Sequence, residues 1–98
     1  MEINVFLERS TKEIIQKMEN QFDSHMFITQ LCKDFEKEYV ECLYKYKDCP
    51  GIFRTFHAVI GRFLSNNATA LSIRKAEKVI SDNIKNYESE NQKWSKIL

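Results

Sequence analysis

The sequence predicts a mainly helical fold of four or five helices. It ends either in a two-stranded β-hairpin or in a further helix that would complete an all-α bundle. Three observations carry this. Two glycines and one proline in 98 residues leave too little turn chemistry for a many-stranded sheet. Apolar residues recur at helical spacing from Ile3 to Leu64, one face of each helix at a time. Beyond residue 72 the pattern blurs, and a turn-rich stretch from Asn86 to Asn91 divides it.

Ile3, Leu7, Ile14, Met18 and Phe22 form one helical stripe, so residues 3–21 read as a first helix. Ser10-Thr11-Lys12-Glu13 also fits a capping box, which would start the helix only at Thr11. Glu13 and Lys17 are spaced as an i,i+4 ion pair. Asp23 is placed to cap a second helix, with Phe22 and Phe27 as its hydrophobic staple. Asp34 can cap a third, with Glu36 and Glu38 near a start where the helix dipole favours acids. One unbroken helix over 24–47 is the alternative.

Asp48-Cys49-Pro50-Gly51 is the sharpest punctuation in the chain, with the proline well placed to open a fourth helix. Over 51–65 that helix has Ile52, Phe53, Phe56, Val59, Ile60, Phe63 and Leu64 on one arc. Arg54, Thr55, Ala58, Gly61, Arg62 and Ser65 share the opposite arc, with Asn66 following and His57 on the border. Further on, Ile73, Ala76, Ile80, Ile84 and Tyr87 fit a helix by spacing, whereas the composition of 78–97 suits a hairpin.

Charge is distributed unevenly. The net charge is only +1, yet no Asp or Glu occurs from Cys49 to Ala76. At the average density of 14 acids in 98 residues, such a window would hold about four. Arg54, His57, Arg62, Arg74 and Lys75 lie inside it. A face without carboxylates and dotted with guanidinium groups suits a polyanion such as nucleic acid.

Other classes find little support. No apolar run approaches the roughly 20 residues that span a bilayer, so no membrane role is expected. Three cysteines at spacings of ten and seven offer no zinc pattern, and no basic-then-apolar leader opens the chain. The expectation is a single reduced, cytoplasmic domain over 1–98 without metal or cofactor, its first helix (1–21) followed by a body over 22–97. No phosphate-cradling glycine loop or nucleophile elbow is present, so an enzyme is not expected.

Helices over 35–47 and 52–65, joined across Asp48-Cys49-Pro50-Gly51, match a helix-turn-helix arrangement. With preceding helices and a C-terminal hairpin, the whole resembles the winged helix-turn-helix DNA-binding superfamily, at the level of architecture. That resemblance selects the hairpin for 78–97. It implies a small double-stranded DNA-binding protein, a transcriptional regulator or an accessory of mobile DNA, with the fourth helix in the major groove. Arg54, Thr55, Ala58 and Asn66 would then meet base edges. Arg62, Arg74, Lys75 and Lys78 would meet phosphates, and Lys85 or Lys93 would extend the wing contact. Ala58 and Gly61 could equally admit a homodimer or protein partner, which makes a helical interaction module the alternative. The Phe53/Phe56/Phe63 stripe and Trp94 are expected in the core, His25 at the surface and His57 half-buried against backbone.

Overall fold

The computed structural model describes residues 2–97. In chain order it comprises α1 (Ile3–Lys17), β1 (Gln21–Asp23), α2 (Ser24–Asp34), α3 (Glu36–Tyr44), α4 (Ile52–Asn66), β2 (Ile73–Asp82) and β3 (Glu88–Lys96). Four helices therefore precede a C-terminal hairpin, and β1 adds a third strand. The sheet is antiparallel in the order β1-β3-β2, with β2 at one outer edge.

The local rules act clearly at α2. Asp23 accepts a hydrogen bond from Met26 N at 2.8 Å, satisfying one of the donors that a helix start leaves open. Phe22 and Phe27 flank this cap and are both buried. Elsewhere tertiary contacts win over local signals. α1 is capped at Glu2, whose side chain accepts from Asn4 N, so the capping box at Ser10 goes unused. Ser10 instead donates back to Phe6 O, one turn up a continuous helix. α1 also stops at Lys17 rather than residue 21, because Gln21–Asp23 pairs with β3.

Asp34 does not cap the third helix. It closes α2, and Lys17 from α1 reaches its carboxylate at 2.5 Å in place of the Glu13 partner expected from spacing. Phe35 stands at the break with no side-chain cap. α3 is shorter than expected and ends at Tyr44, after which i→i+3 bonds such as Tyr46 N to Leu43 O tighten the chain. The connection to α4 therefore spans 45–51 rather than four residues. Pro50 lies outside α4, and Gly51 is the residue before the helix, with φ 70°. That left-handed backbone favours glycine.

α4 buries Phe56, Ile60 and Leu64 completely, a row at i, i+4 and i+8. Each contributes about 1.5–3 kcal/mol by leaving water. Phe53, Val59 and Phe63 flank this row half-buried. The same core takes Phe6, Leu7 and Ile14 from α1, Phe27 and Leu31 from α2, Tyr39 from α3, and Ile73 and Trp94 from the hairpin. Trp94, 1% exposed, donates from Nε1 to Ser24 Oγ at 3.0 Å, so the hairpin is bolted to the start of α2.

The hairpin begins five residues before the expected 78, and it is irregular. Lys75 pairs with Trp94, but Lys78 pairs with Gln92. One extra residue on β2 makes a bulge there. Inward positions on β2 consequently fall at Ile73, Ala76 and Val79, three apart, which imitates a helical period. Ile80 and Tyr87, counted in that apparent helical stripe, are each 69% exposed.

Candidate functional site

α4 and the hairpin do not close on each other. A cleft of about 660 Å³ separates the first half of α4 from the hairpin tip, walled by Arg54, His57, Ala58, Lys85 and Glu90 among others. A second depression continues past Ala58, bordered by Gly61, Arg62 and Ser65 on one side and Lys75, Lys78 and Gln92 on the other. His25, His57 and Ala58 belong to both. The two form one trough along α4, extending about 16 Å from Arg54 to Ser65 at 1.5 Å per residue.

Small residues leave the trough open. A methyl placed on Gly61 would meet nothing within 4 Å. The glycine is therefore not needed for close packing inside the chain. It costs roughly 1 kcal/mol relative to alanine in a helix, and it leaves this face of α4 open.

The bulge arranges the lysines. Residues 75 and 78 of a regular strand would point to opposite faces. Here they stand opposite Trp94 and Gln92, two residues apart on β3, and both line the trough. Gln92 holds the distortion in place: its Nε2 donates to Ala76 O at 2.7 Å, meeting a carbonyl inside the bulge. Arg74, the neighbour of Lys75 on the strand, is exposed and does not line the trough.

His25 is not a free surface residue. His25 Nδ1 lies 3.1 Å from Ser81 O and 3.0 Å from Ser81 Oγ, and Ser89 Oγ lies 3.4 Å from Nε2. Asn91 accepts from His25 N at 2.9 Å and donates to Ser81 Oγ. These bonds lock the hairpin to the start of α2, so the trough has a fixed wall. His57 bonds a side chain rather than backbone. Tyr39 Oη sits 2.5 Å from His57 Nε2 and has no other hydrogen-bond partner among the described residues. Its proton therefore goes to Nε2, leaving the ring proton of His57 on Nδ1. Burial, with a smaller push from His25, depresses His57 to about 4, so the imidazole is neutral near pH 7. Burial pushes the Tyr39 phenol up, so it stays protonated.

The cations remain uncompensated. Arg54, Arg62, Lys75 and Lys78 are exposed, and among the described residues the salt bridges are Lys17–Asp34 and Lys93–Glu77. Lys93, considered for the wing, is thus engaged with Glu77 at 3.4 Å. Arg54 folds back over Gly51, where an added Cβ would lie 3.2 Å from its Nε and Nη2. Lys85 sits 5.6 Å from the centroid of the Phe53 ring.

Two further candidates lie apart. Thr55 Oγ1 donates to Gly51 O at 3.0 Å and lines neither depression. Asn66 borders a shallow hollow toward α1, beside Asn4 and Glu8, which it shares with Arg62. The structure therefore gathers Arg54, Ala58, Arg62, Lys75, Lys78 and Lys85 along one trough, and leaves Thr55, Asn66 and Arg74 outside it. Sequence reasoning missed His25, Asn91 and Gln92, whose partners are 56 to 66 residues away or depend on the bulge.

Among the described residues no three His, Cys, Asp or Glu side chains gather as metal ligands, and no helix is long and apolar enough to cross a membrane. The cysteines Cys32, Cys42 and Cys49 are free. Comparison with family models, curated proteins and solved structures finds no match, so the trough is interpreted on its own geometry.

Proposed function

We propose that this chain is a winged-helix-like protein that binds double-stranded DNA, as a regulator or as an accessory of mobile DNA. One observation carries the reading: an open trough along α4, rimmed by Arg54, Arg62, Lys75, Lys78 and Lys85, with no carboxylate of the described residues in ion-pair contact. Helices ahead of α4 and a hairpin after it are the arrangement that the winged-helix resemblance implies.

In this reading α4 enters the major groove and one phosphate backbone passes between α4 and the hairpin. Arg54 swings off Gly51 to meet base edges beside Ala58, where a guanidinium can take guanine with two bonds. Arg62, Lys75 and Lys78 anchor phosphates, which fixes register without reading sequence. Arg74 would reach phosphate only beyond the trough, and Thr55 and Asn66 are secondary contacts. No catalytic step is required.

Fluorescence anisotropy on a short duplex over a salt series tests this. Arg62, Lys75 and Lys78, with Arg74 as a fourth contact, give a log–log slope of about −3.6, at about 0.9 per phosphate neutralised. Lys75→Ala and Lys78→Ala should each lower that slope by about 1. Arg54→Ala should instead narrow the gap between preferred and random sequences. Binding without a salt slope would overturn the proposal. An Ala58→Glu variant that lost a protein complex while showing no DNA binding would hand the face to a protein partner, for which the open space at Gly61 is equally suited.

A further inference from the structure

The half of the trough at the hairpin tip has a composition that phosphate anchoring does not explain. Phe53 forms part of its wall, its ring tilted at 45° to that of His57 with centroids 5.6 Å apart, and Ile84 of the hairpin turn adds a second apolar surface. Among these lie donors without anionic partners. Arg54 offers a planar guanidinium, and Lys85 holds its ammonium near the Phe53 ring. His57, its Nε2 bonded to Tyr39, borders the same cleft.

The turn carrying Ile84 and Lys85 is itself ordered by hydrogen bonds. Asn83 Oδ1 accepts from Lys85 N and Tyr87 N at 2.9 and 3.2 Å, and Asn86 takes the left-handed backbone that asparagine tolerates. The cleft, at about 660 Å³, lies within the range that holds small organic ligands. Among the described residues, Glu90 is the carboxylate on its wall.

We infer that this cleft binds a small planar aromatic acid, its ring against Phe53 and Ile84 and its oxyanion between Arg54 and Lys85. Carboxylate and phosphate monoester share the required chemistry. A guanidinium pairs with either through two parallel hydrogen bonds. Binding itself does not depend on the DNA reading. If that reading holds, a bound acid occupies Arg54 and Ala58 and competes with the duplex.

The test is a titration of the isotope-labelled chain with benzoate and phenyl phosphate, followed by two-dimensional NMR. Acetate supplies charge without a ring, and benzyl alcohol a ring without charge. Saturable shifts at Phe53, Arg54, His57 and Lys85 are expected in the millimolar range that ligands of this size reach. Acetate and benzyl alcohol should bind roughly tenfold or more weakly. Arg54→Gln with Lys85→Gln should abolish saturation with the remaining spectrum unchanged, and Glu90→Gln should tighten it. A stronger response to phenyl phosphate than to benzoate would identify the phosphate monoester as the preferred class. Unsaturable or scattered shifts, or a double variant that binds like the parent chain, would overturn the site. Absence of DNA binding with saturable benzoate shifts would sink only the DNA reading.

Discussion

Lys17 meets Asp34 where α1 passes α2, whereas among the described residues Arg54, Arg62, Lys75 and Lys78 form no ion pair with a carboxylate. Lys17 is raised and Asp34 lowered, each mainly by the hydrogen bond to the other. The amino-terminal helices hold acids and bases together, and their charges can compensate within the fold. Along the trough Arg54, Arg62, Lys75 and Lys78 form no ion pair among the described residues, while Glu77 on β2 pairs with Lys93 instead. An exposed pair such as Lys17–Asp34 adds little to stability. An uncompensated cluster adds less than nothing, because like charges repel in the folded chain. An anion bound from outside, as proposed above, would relieve that repulsion.

The comparison can be broken most forcefully at the seam between the regions. Trp94→Ala removes the buried ring that ties the hairpin to Ser24. It should cost about 3–5 kcal/mol in urea unfolding and detach the trough wall from the amino-terminal helices. If the variant proved as stable as the parent, the two regions would not be one cooperative unit.

Acid separates the regions next. His57 is held at about 4 against its ordinary 6.5, so the unfolded chain takes up that proton first. The stabilisation is complete above pH 6.5 and is lost as pH falls toward 4. The loss is at most about 3 kcal/mol, from 1.36 kcal/mol per unit, and less for a partly exposed ring. Thermal unfolding between pH 7 and 4 should show the fall, and His57→Gln should flatten it. An unchanged slope in that variant would move the effect to the amino-terminal carboxylates.

Two smaller substitutions sharpen the contrast between internal and external purpose. Thr11 Oγ1 is buried in α1 with no hydrogen-bond partner. Thr11→Val should therefore raise stability by about 1 kcal/mol without touching any ligand. Gly61→Ala should raise it by roughly 0.5–1 kcal/mol, since nothing opposes the new methyl, yet it should weaken DNA binding. A Gly61→Ala chain that bound DNA as before would show that the backbone of α4 is not closely approached.

The features legible in the sequence were those whose cause is local. Asp23 and Phe22 marked the start of α2 because a cap and its staple lie within five residues. The apolar arc of α4 was readable because its residues recur at helical spacing. Asp34 looked like a cap, but Lys17, brought close by the packing of α1 on α2, claimed its carboxylate. The strand at 73–82 looked helical because one extra residue between Lys75 and Lys78 changed a period of two into steps of three. His25 seemed free because its partners Ser81 and Asn91 are on the hairpin. Among the candidate contacts, Arg54, Ala58, Arg62, Lys75 and Lys78 converge, whereas Arg74 is separated from Lys75 by the alternation of the strand.

That same bulge guards the outer side of β2. A ten-residue ribbon with one flank unpaired would ordinarily invite a neighbouring chain to zip alongside it and seed fibres. The kink interrupts the row of donors and acceptors, and Lys75, Glu77 and Lys78 would have to shed hydration for any newcomer to dock. Straightening the ribbon and replacing those three side chains with threonine or valine should leave a molecule that still folds but precipitates on standing.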